Sequence, residues 1–134
     1  MNFNDYIVNF ETAVLLKELG YPQSFFGGYN MTSDFYTDEG KFYKDGGIVE
    51  VNRCFTAPNI FEVCEWLEKE KQIYTTAIPY PSFASINKVV WNYVIKYNSD
   101  GANMFFKESE MVYIHKEEAI KDCITYILNN ILKN

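Results

Sequence analysis

The sequence has 134 residues, of which 48% are apolar and 18% aromatic, and it carries a formal net charge of −6. This length suits one domain with a single hydrophobic core. The acidic balance, with Arg53 as the single arginine, argues against a protein that binds the phosphates of nucleic acid, because such proteins cluster basic residues.

No secretory or membrane-spanning signal is recognisable. The N-terminal stretch MNFNDYIVNFET has no basic region, and no apolar run approaches the roughly 20 residues that a membrane span needs. Three widely spaced cysteines, Cys54, Cys64 and Cys123, are typical of reduced core residues rather than of a disulfide framework. We therefore expect a soluble protein of the cytoplasm.

The first helix is predicted over Phe10–Leu19. Gly20 suits the left-handed conformation that ends many helices, and Pro22 prevents continuation. From Ser24 to Thr56 the sequence changes to short β-type runs separated by turns. Within this stretch, residues 34–43 predict a hairpin that turns at 38–40, and a further short strand follows the Asp-Gly-Gly at 45–47.

The second helix is predicted to begin at Pro58, since proline suits the first helical turn. Apolar residues then recur on one stripe, which comprises Ile60, Val63, Cys64 and Leu67. Further along, Lys88–Tyr97 predicts a long strand whose alternate residues share a face. After a turn at 98–101, Asn103–Lys107 is predicted to return antiparallel, so that the two strands form a hairpin.

The third helix is predicted over residues 116–132. His115 precedes it and Glu118 stands three residues later, which predicts a capping box with histidine in place of serine or threonine. Helices with apolar stripes need a sheet to cover. The predicted fold is therefore a single α+β domain over residues 1–134, in the order α-β-α-β-α. Its antiparallel sheet would have roughly four to six strands, with the three helices packed mainly on one face.

The standard arrangements of catalytic and metal-binding residues are not recognisable. His115 is the single histidine, and no two cysteines stand at the spacing of zinc ligands. The glycine pairs at 27–28 and 46–47 lack the strand-to-helix context of a phosphate-binding loop. We therefore predict no catalytic residue, no metal site and no cofactor.

Aromatic residues are concentrated between the first two helices, with seven of them between Phe25 and Tyr43. A further one, Tyr80, is predicted to lie in a loop because prolines flank it on both sides. These side chains either fill the core, form a surface for a partner protein or line a small-ligand pocket. The candidate binding residues are Phe26, Tyr29, Tyr36, Tyr43 and Tyr80.

Several stretches in sequence order carry a resemblance to known proteins. They are ETAVLLKELGYPQ, TAPNIFEVCEWLEKEKQI, the Trp-x-Tyr-x-Ile pattern that begins at Trp91, and KEEAIKDCITYIL. From Glu11 to Leu128 the chain resembles a group of small uncharacterised proteins of gut Bacteroides-type bacteria and their phages. The resemblance implies a phage or mobile-element setting in the host cytoplasm, and the group has no established activity that could be transferred to this chain.

The expected function is that of a non-enzymatic interaction module. It would bind a host or phage protein through exposed aromatic residues, as a monomer or homodimer, with no direct contact to nucleic acid or membrane. The alternative is a protein that binds or sequesters a small molecule, for instance a nucleotide, in an aromatic pocket. An enzyme that uses His115 as a general base is the third hypothesis.

Overall fold

The computed structural model describes residues 3–23, 28–29, 35–36, 42–44, 47–49, 55–82, 88–98 and 104–132. In these ranges the chain is α+β, with three α-helices and small antiparallel sheets of two or three strands. The chain divides into two compact units, one formed by Ile7–Asn59 and one formed by Met1–Tyr6 with Ile60–Asn134. Each unit is described by itself.

The Ile7–Asn59 unit begins with helix α1 (Phe10–Glu18), which the Asn9 side chain caps by accepting a hydrogen bond from the Thr12 N–H at 2.9 Å. The helix is followed by Gly20 at φ 92°, which confirms the predicted left-handed end. Five short strands follow: β1 (Gly28–Tyr29), β2 (Phe35–Tyr36), β3 (Phe42–Lys44), β4 (Gly47–Val49) and β5 (Phe55–Thr56). Helix α1 packs against β1 and β5.

The predicted hairpin over residues 34–43 is wrong. Strand β2 pairs with β1, β1 also pairs with β5, and β3 pairs instead with β4, in the register Tyr43 to Ile48. The sequence between β3 and β4 is Asp-Gly, a stronger two-residue hairpin signal than the Asp-Glu-Gly that follows β2. The shorter connection therefore decides the pairing of β3.

The second unit contains a 3₁₀ turn (Phe3–Tyr6), helix α2 (Ile60–Lys71) and strands β6 (Ile73–Pro81), β7 (Val89–Asn98) and β8 (Met104–Glu108). Helix α3 (Lys116–Tyr126) follows and continues as a π-helical segment (Ile127–Ile131). The sheet order is β6-β7-β8, and both pairs are antiparallel. The predicted β7–β8 hairpin is thereby confirmed, whereas α2 starts two residues after the predicted Pro58.

Helices α2 and α3 cover one face of this sheet. Thr75 and Ala77 of β6 and Tyr93 of β7 face the helices, since they line a common space with residues of both. The core lies in this layer and consists of large, fully buried side chains, among them Leu67, Ile73, Ile95, Ile124, Ile127 and Leu128. Each contributes about 1.5–3 kcal/mol relative to an exposed side chain, so this layer holds the unit together.

The predicted single sheet of four to six strands, with all three helices on one face, needs correction. The described strands form sheets of three, two and three strands, and within its own unit α1 packs on β1 and β5. The described strands between α1 and α2 are two or three residues long, and strands this short do not extend a large sheet.

Tyr80 belongs to strand β6 and not to the predicted loop. Proline removes one backbone donor, which excludes it from a central strand but not from an edge strand. Because β6 is the edge of its sheet, Pro79 and Pro81 are accommodated there. Among the described helices, none combines the length and the apolar character required to cross a membrane.

Candidate functional site

The predicted binding residues occupy different parts of the chain. Phe26 lies outside the described residues, and for Tyr36 in β2 and Tyr43 in β3 only the backbone is described. Tyr29 belongs to the Ile7–Asn59 unit, whereas Tyr80 belongs to the other unit. Tyr29 and Tyr80 are therefore the two predicted residues whose side chains have a described environment.

Tyr29 is held by contacts inside its own unit. Its hydroxyl donates a hydrogen bond to the Val8 carbonyl at 2.7 Å, and its ring meets Phe10 edge to face at 5.9 Å between centroids. Burial raises the pKa of the Tyr29 hydroxyl, and the nearby Glu11 carboxylate raises it further. These contacts tie β1 to the start of α1, a structural role.

Tyr80 lies on the face of the β6–β8 sheet opposite α2 and α3, and 41% of its surface is exposed. Its hydroxyl stands 3.5 Å from the Glu108 carboxylate, which also accepts a hydrogen bond from the Asn92 amide at 3.0 Å. These contacts link β6, β7 and β8. Among the described residues the buried Asn92 Oδ1 has no hydrogen-bond partner, and an unpaired buried acceptor costs about 1–3 kcal/mol.

His115 occupies the N-cap position of α3 with an extended backbone, as its sequence position predicts, but its side chain makes no capping hydrogen bond. The predicted capping box is therefore wrong. The favoured N-cap residues offer a side-chain oxygen as acceptor to the N–H groups of the first turn, whereas histidine carries ring nitrogens in its place.

Replacing His115 with serine is expected to raise the free energy of unfolding by about 0.5–1 kcal/mol, because the Ser-x-x-Glu pattern then supplies the missing cap. Urea unfolding followed by circular dichroism measures the change. The matched His115→Ala variant is expected to stay within about 0.5 kcal/mol of the parent. A loss of more than 1 kcal/mol in the alanine variant would show that the histidine ring holds the helix start.

A cluster of exposed apolar side chains extends from β8 to the start of α3. We call it the β8 surface, and it consists of Met104, Phe106, Met111, Val112 and Ile114. These side chains are between 57% and 73% exposed. Isolated exposed apolar residues are normal, whereas five within eleven residues of the chain are a concentration that suits an interaction site.

The β8 surface lies along an edge of the β6–β8 sheet. Across the hairpin the rings of Tyr97 and Phe105 pack at 4.6 Å between centroids. Beyond β8, Tyr113 forms two hydrogen bonds of 2.7 Å with Trp91 of β7, so that the segment carrying Val112 lies along the same strand. The edge is therefore fixed at both ends by contacts with β7.

The backbone of β8 also presents unused hydrogen-bonding groups. The Ser109 N–H donates to the Tyr93 carbonyl at 2.9 Å, and hydrogen-bonded pairs alternate along antiparallel strands. Residues 105 and 107 therefore turn their N–H and C=O groups toward β7, and residues 104, 106 and 108 turn theirs outward. Within the described ranges β8 pairs with β7 alone, so these outward groups line an unpaired edge.

Charged groups flank the β8 surface. The Lys96 ammonium lies 5.9 Å from the centroid of the Phe106 ring on the same face. At the other end, Glu110 is almost fully exposed and 3.5 Å from the Lys107 ammonium. The Lys107 side chain is 24% exposed and that of Glu110 is 87% exposed. Solvent therefore screens the pair on the Glu110 side, and the Glu110 carboxylate is accessible to a basic group of a partner.

Metal-binding clusters and reactive thiols are the other features sought in the described residues. These residues hold no group of three or more His, Cys, Asp or Glu side chains close enough to share a metal ion. Cys64 is half-buried and Cys123 buried, and both are free thiols; Cys54 lies outside the described residues. Burial raises the pKa of both thiols, so they are uncharged at neutral pH.

The sequence reasoning did not identify the β8 surface. A usable signal was present, because Met104, Phe105 and Phe106 are consecutive apolar residues in a strand, and alternate side chains of a strand point to opposite faces. When helices cover one face only, such a run must leave apolar side chains exposed.

No protein-family model, curated protein or solved structure was found to match the chain.

Proposed function

We propose that the chain is a non-enzymatic interaction module that binds another protein along the edge of strand β8. The proposal rests on one observation, which is the concentration of exposed apolar side chains on the β8 surface beside unpaired backbone groups. Native proteins usually protect such edges with short strands, charges or proline, because an open apolar edge pairs with other chains. On β8 the charged residues Lys107 and Glu108 stand at one end, and the exposed side chains of Met104 and Phe106 leave the rest of the edge apolar, which suits a binding strand.

The proposed partner contributes an extended segment that pairs with β8. Main-chain hydrogen bonds to residues 104, 106 and 108 would provide affinity, and contacts with alternate apolar side chains would provide specificity. The segment would carry apolar residues at alternate positions to meet Met104 and Phe106, and a basic residue near Glu110. The resemblance to small phage-associated proteins makes a host or phage protein the proposed class of partner.

Phe106 is the residue through which this proposal is best tested. Its ring is exposed on the β8 surface and its N–H points to the open edge. Phe106→Ala removes the ring and keeps the N–H, whereas Phe106→Pro removes both. Since hydrogen bonds to β7 come from the neighbouring residues, and edge strands tolerate proline, the two variants are expected to fold.

A partner captured from host lysate is first identified by mass spectrometry and purified, and its affinity is then measured by calorimetry. Phe106→Ala is expected to weaken binding about tenfold or more, and Phe106→Pro is expected to abolish it. Tyr74→Ala provides the control, because Tyr74 is a comparably exposed aromatic residue on the opposite edge strand, and its removal is expected to leave the affinity unchanged.

Three outcomes contradict the proposal. One is that no captured protein is lost when Phe106 is replaced by proline. Another is that Tyr74→Ala weakens binding as much as Phe106→Ala, which would place the partner on the sheet face that Tyr74 and Phe106 share rather than on the β8 edge. The third is a parent chain that forms a dimer through β8 in light scattering, which would make a second copy the occupant.

A further inference from the structure

A cavity of about 250 Å³ lies between the β6–β8 sheet and helices α2 and α3. Helix α2 contributes Cys64 to its wall, α3 contributes Ile120 and Cys123, and the sheet contributes Ala77 and Tyr93. Phe61 and Lys116 also line it and are both exposed, so they mark the side on which the cavity opens to solvent.

Small side chains on several elements create this space. Cys64, Ala77 and Cys123 stand where the sheet and both helices face one another, whereas the deeper part of the same layer is filled by Leu67 and Ile95. Protein interiors are otherwise packed as densely as organic crystals. A space of this volume, formed by small residues from three elements, has the dimensions of a binding site for a small molecule.

The wall of the cavity is largely apolar and uncharged. Its polar groups are two neutral thiols, with the Cys64 thiol hydrogen-bonded to the Thr75 side chain, and hydroxyl groups. The Lys116 ammonium, the one charged group of the wall, stands 5.6 Å from the centroid of the Trp91 ring. A ligand inside the cavity would therefore meet sulfur atoms, methyl groups and the ring of Tyr93.

We propose that this cavity binds a small, neutral, aromatic molecule of one or two rings. An apolar cavity of roughly 150 Å³ accommodates benzene, so 250 Å³ admits a fused bicyclic ring such as indole. Thiol sulfur atoms make favourable contacts with aromatic edges, and the Thr75 hydroxyl offers a hydrogen-bond partner to one N–H or O–H group. This site is independent of the proposed β8 interface.

A charged ligand matches neither the size of this cavity nor its uncharged wall. A nucleotide is larger than the cavity and would bring phosphates into a wall whose interior groups are neutral, and burial of an uncompensated charge is costly. Lys116, the charged residue of the wall, is exposed at the opening, so it does not compensate a charge buried among the thiols and Tyr93. The neutral class of ligand is therefore the one that fits.

Titration of the full chain with indole tests the proposal. Indole is expected to bind saturably with a dissociation constant of about 1 mM or below, and to raise the melting midpoint by about 2–5 °C at ten times that concentration. Indole-3-acetate has the same ring and an added carboxylate, and it is expected to bind at least tenfold more weakly. Isothermal calorimetry and thermal melting measure both ligands.

Ala77→Leu adds three carbon atoms to the wall of the cavity and is expected to weaken indole binding at least tenfold. Met104→Ala is the control, because Met104 is exposed on the β8 surface, and it is expected to leave indole binding unchanged. Indole binding and partner binding are measured separately, so failure of the cavity proposal can be distinguished from failure of the β8 interface proposal.

If Ala77→Leu does not fold, the thiol of Cys64 reports on the cavity in the parent chain. Alkylation by N-ethylmaleimide, followed by peptide mass spectrometry, is expected to slow about tenfold at an indole concentration ten times the dissociation constant, because only the empty cavity exposes the thiol. No saturable binding, no protection of Cys64, or equal binding of indole and indole-3-acetate would overturn the proposal.

Discussion

An Ile95→Ala variant is expected to lose about 2–5 kcal/mol of its free energy of unfolding. Ile95 is fully buried in β7, the central strand of its sheet, and it pairs with Thr75 on one side and Lys107 on the other. Removing three carbon atoms forfeits their transfer energy and leaves a cavity that the surrounding strands and helices cannot fill. This loss is a large part of the 5–15 kcal/mol that stabilises a typical domain.

The chain offers a matched control for this prediction in Ile114, the same residue type at 73% exposure. Ile114→Ala is expected to change the free energy of unfolding by less than about 0.5 kcal/mol and to weaken partner binding instead. Urea unfolding followed by circular dichroism measures both variants. If Ile95→Ala prevents folding, Ile95→Val is expected to cost about 0.5–1.5 kcal/mol. Equal losses at the two positions would refute the described packing of β7.

The elements that the sequence predicted correctly are those fixed by nearby residues. The end of α1 follows from Gly20 and Pro22, and the β7–β8 hairpin follows from two β-type runs on either side of one turn. The pairing of β1 with β5 joins Tyr29 to Phe55 across 26 residues, and no local pattern records such a partner. The division into three small sheets was therefore beyond prediction from the sequence.

The candidate site was missed for a related reason. Aromatic density directed attention to residues 25–43, but in the described part of that stretch Tyr29 has a structural role in holding α1. The exposure of Phe106 depends on which strand lies at the sheet edge and on which face the helices cover. Both are properties of the assembled sheet, so composition alone does not reveal them.

The pH dependence of stability provides a second large effect, and it originates in the buried thiols. Burial raises the pKa of Cys123, and the neighbouring Cys64 raises it further. Burial likewise raises the pKa of Cys64, although its hydrogen bond with Thr75 opposes the shift. An unburied thiol has an ordinary pKa of 9.0, so both thiols hold their protons more tightly in the folded chain than in the unfolded chain.

Two tyrosines of the same unit act in the same direction. Burial raises the pKa of Tyr113, and the Asp122 carboxylate raises it further by a hydrogen bond and by its charge. Burial also raises the pKa of Tyr93, whose ring packs 6.3 Å from that of Tyr113. Their ordinary value is 10.0, so the tyrosines add to the effect of the thiols at higher pH.

Below about pH 9 these groups are protonated in both states, and their contribution to stability is fully present. As the pH rises further, the unfolded chain releases protons that the folded chain retains, and the free energy of unfolding falls. The decline is expected to begin near pH 9 with the thiols and to steepen above pH 10 with the tyrosines. Each group contributes about 1.4 kcal/mol per pH unit while it titrates only in the unfolded state.

Urea unfolding between pH 7 and 10.5, with a reductant present, measures this decline. Cys123→Ala removes one titrating group, and its stability is expected to fall less steeply than that of the parent, by about 1.4 kcal/mol per pH unit above pH 9. Val94→Ala is the control, because Val94 is buried in β7 and carries no titrating group, and it should lower stability equally at every pH. Parallel curves for the parent and Cys123→Ala would mean that the Cys123 thiol ionises as readily in the folded chain as in the unfolded chain, and would place it outside the buried layer between α3 and the sheet.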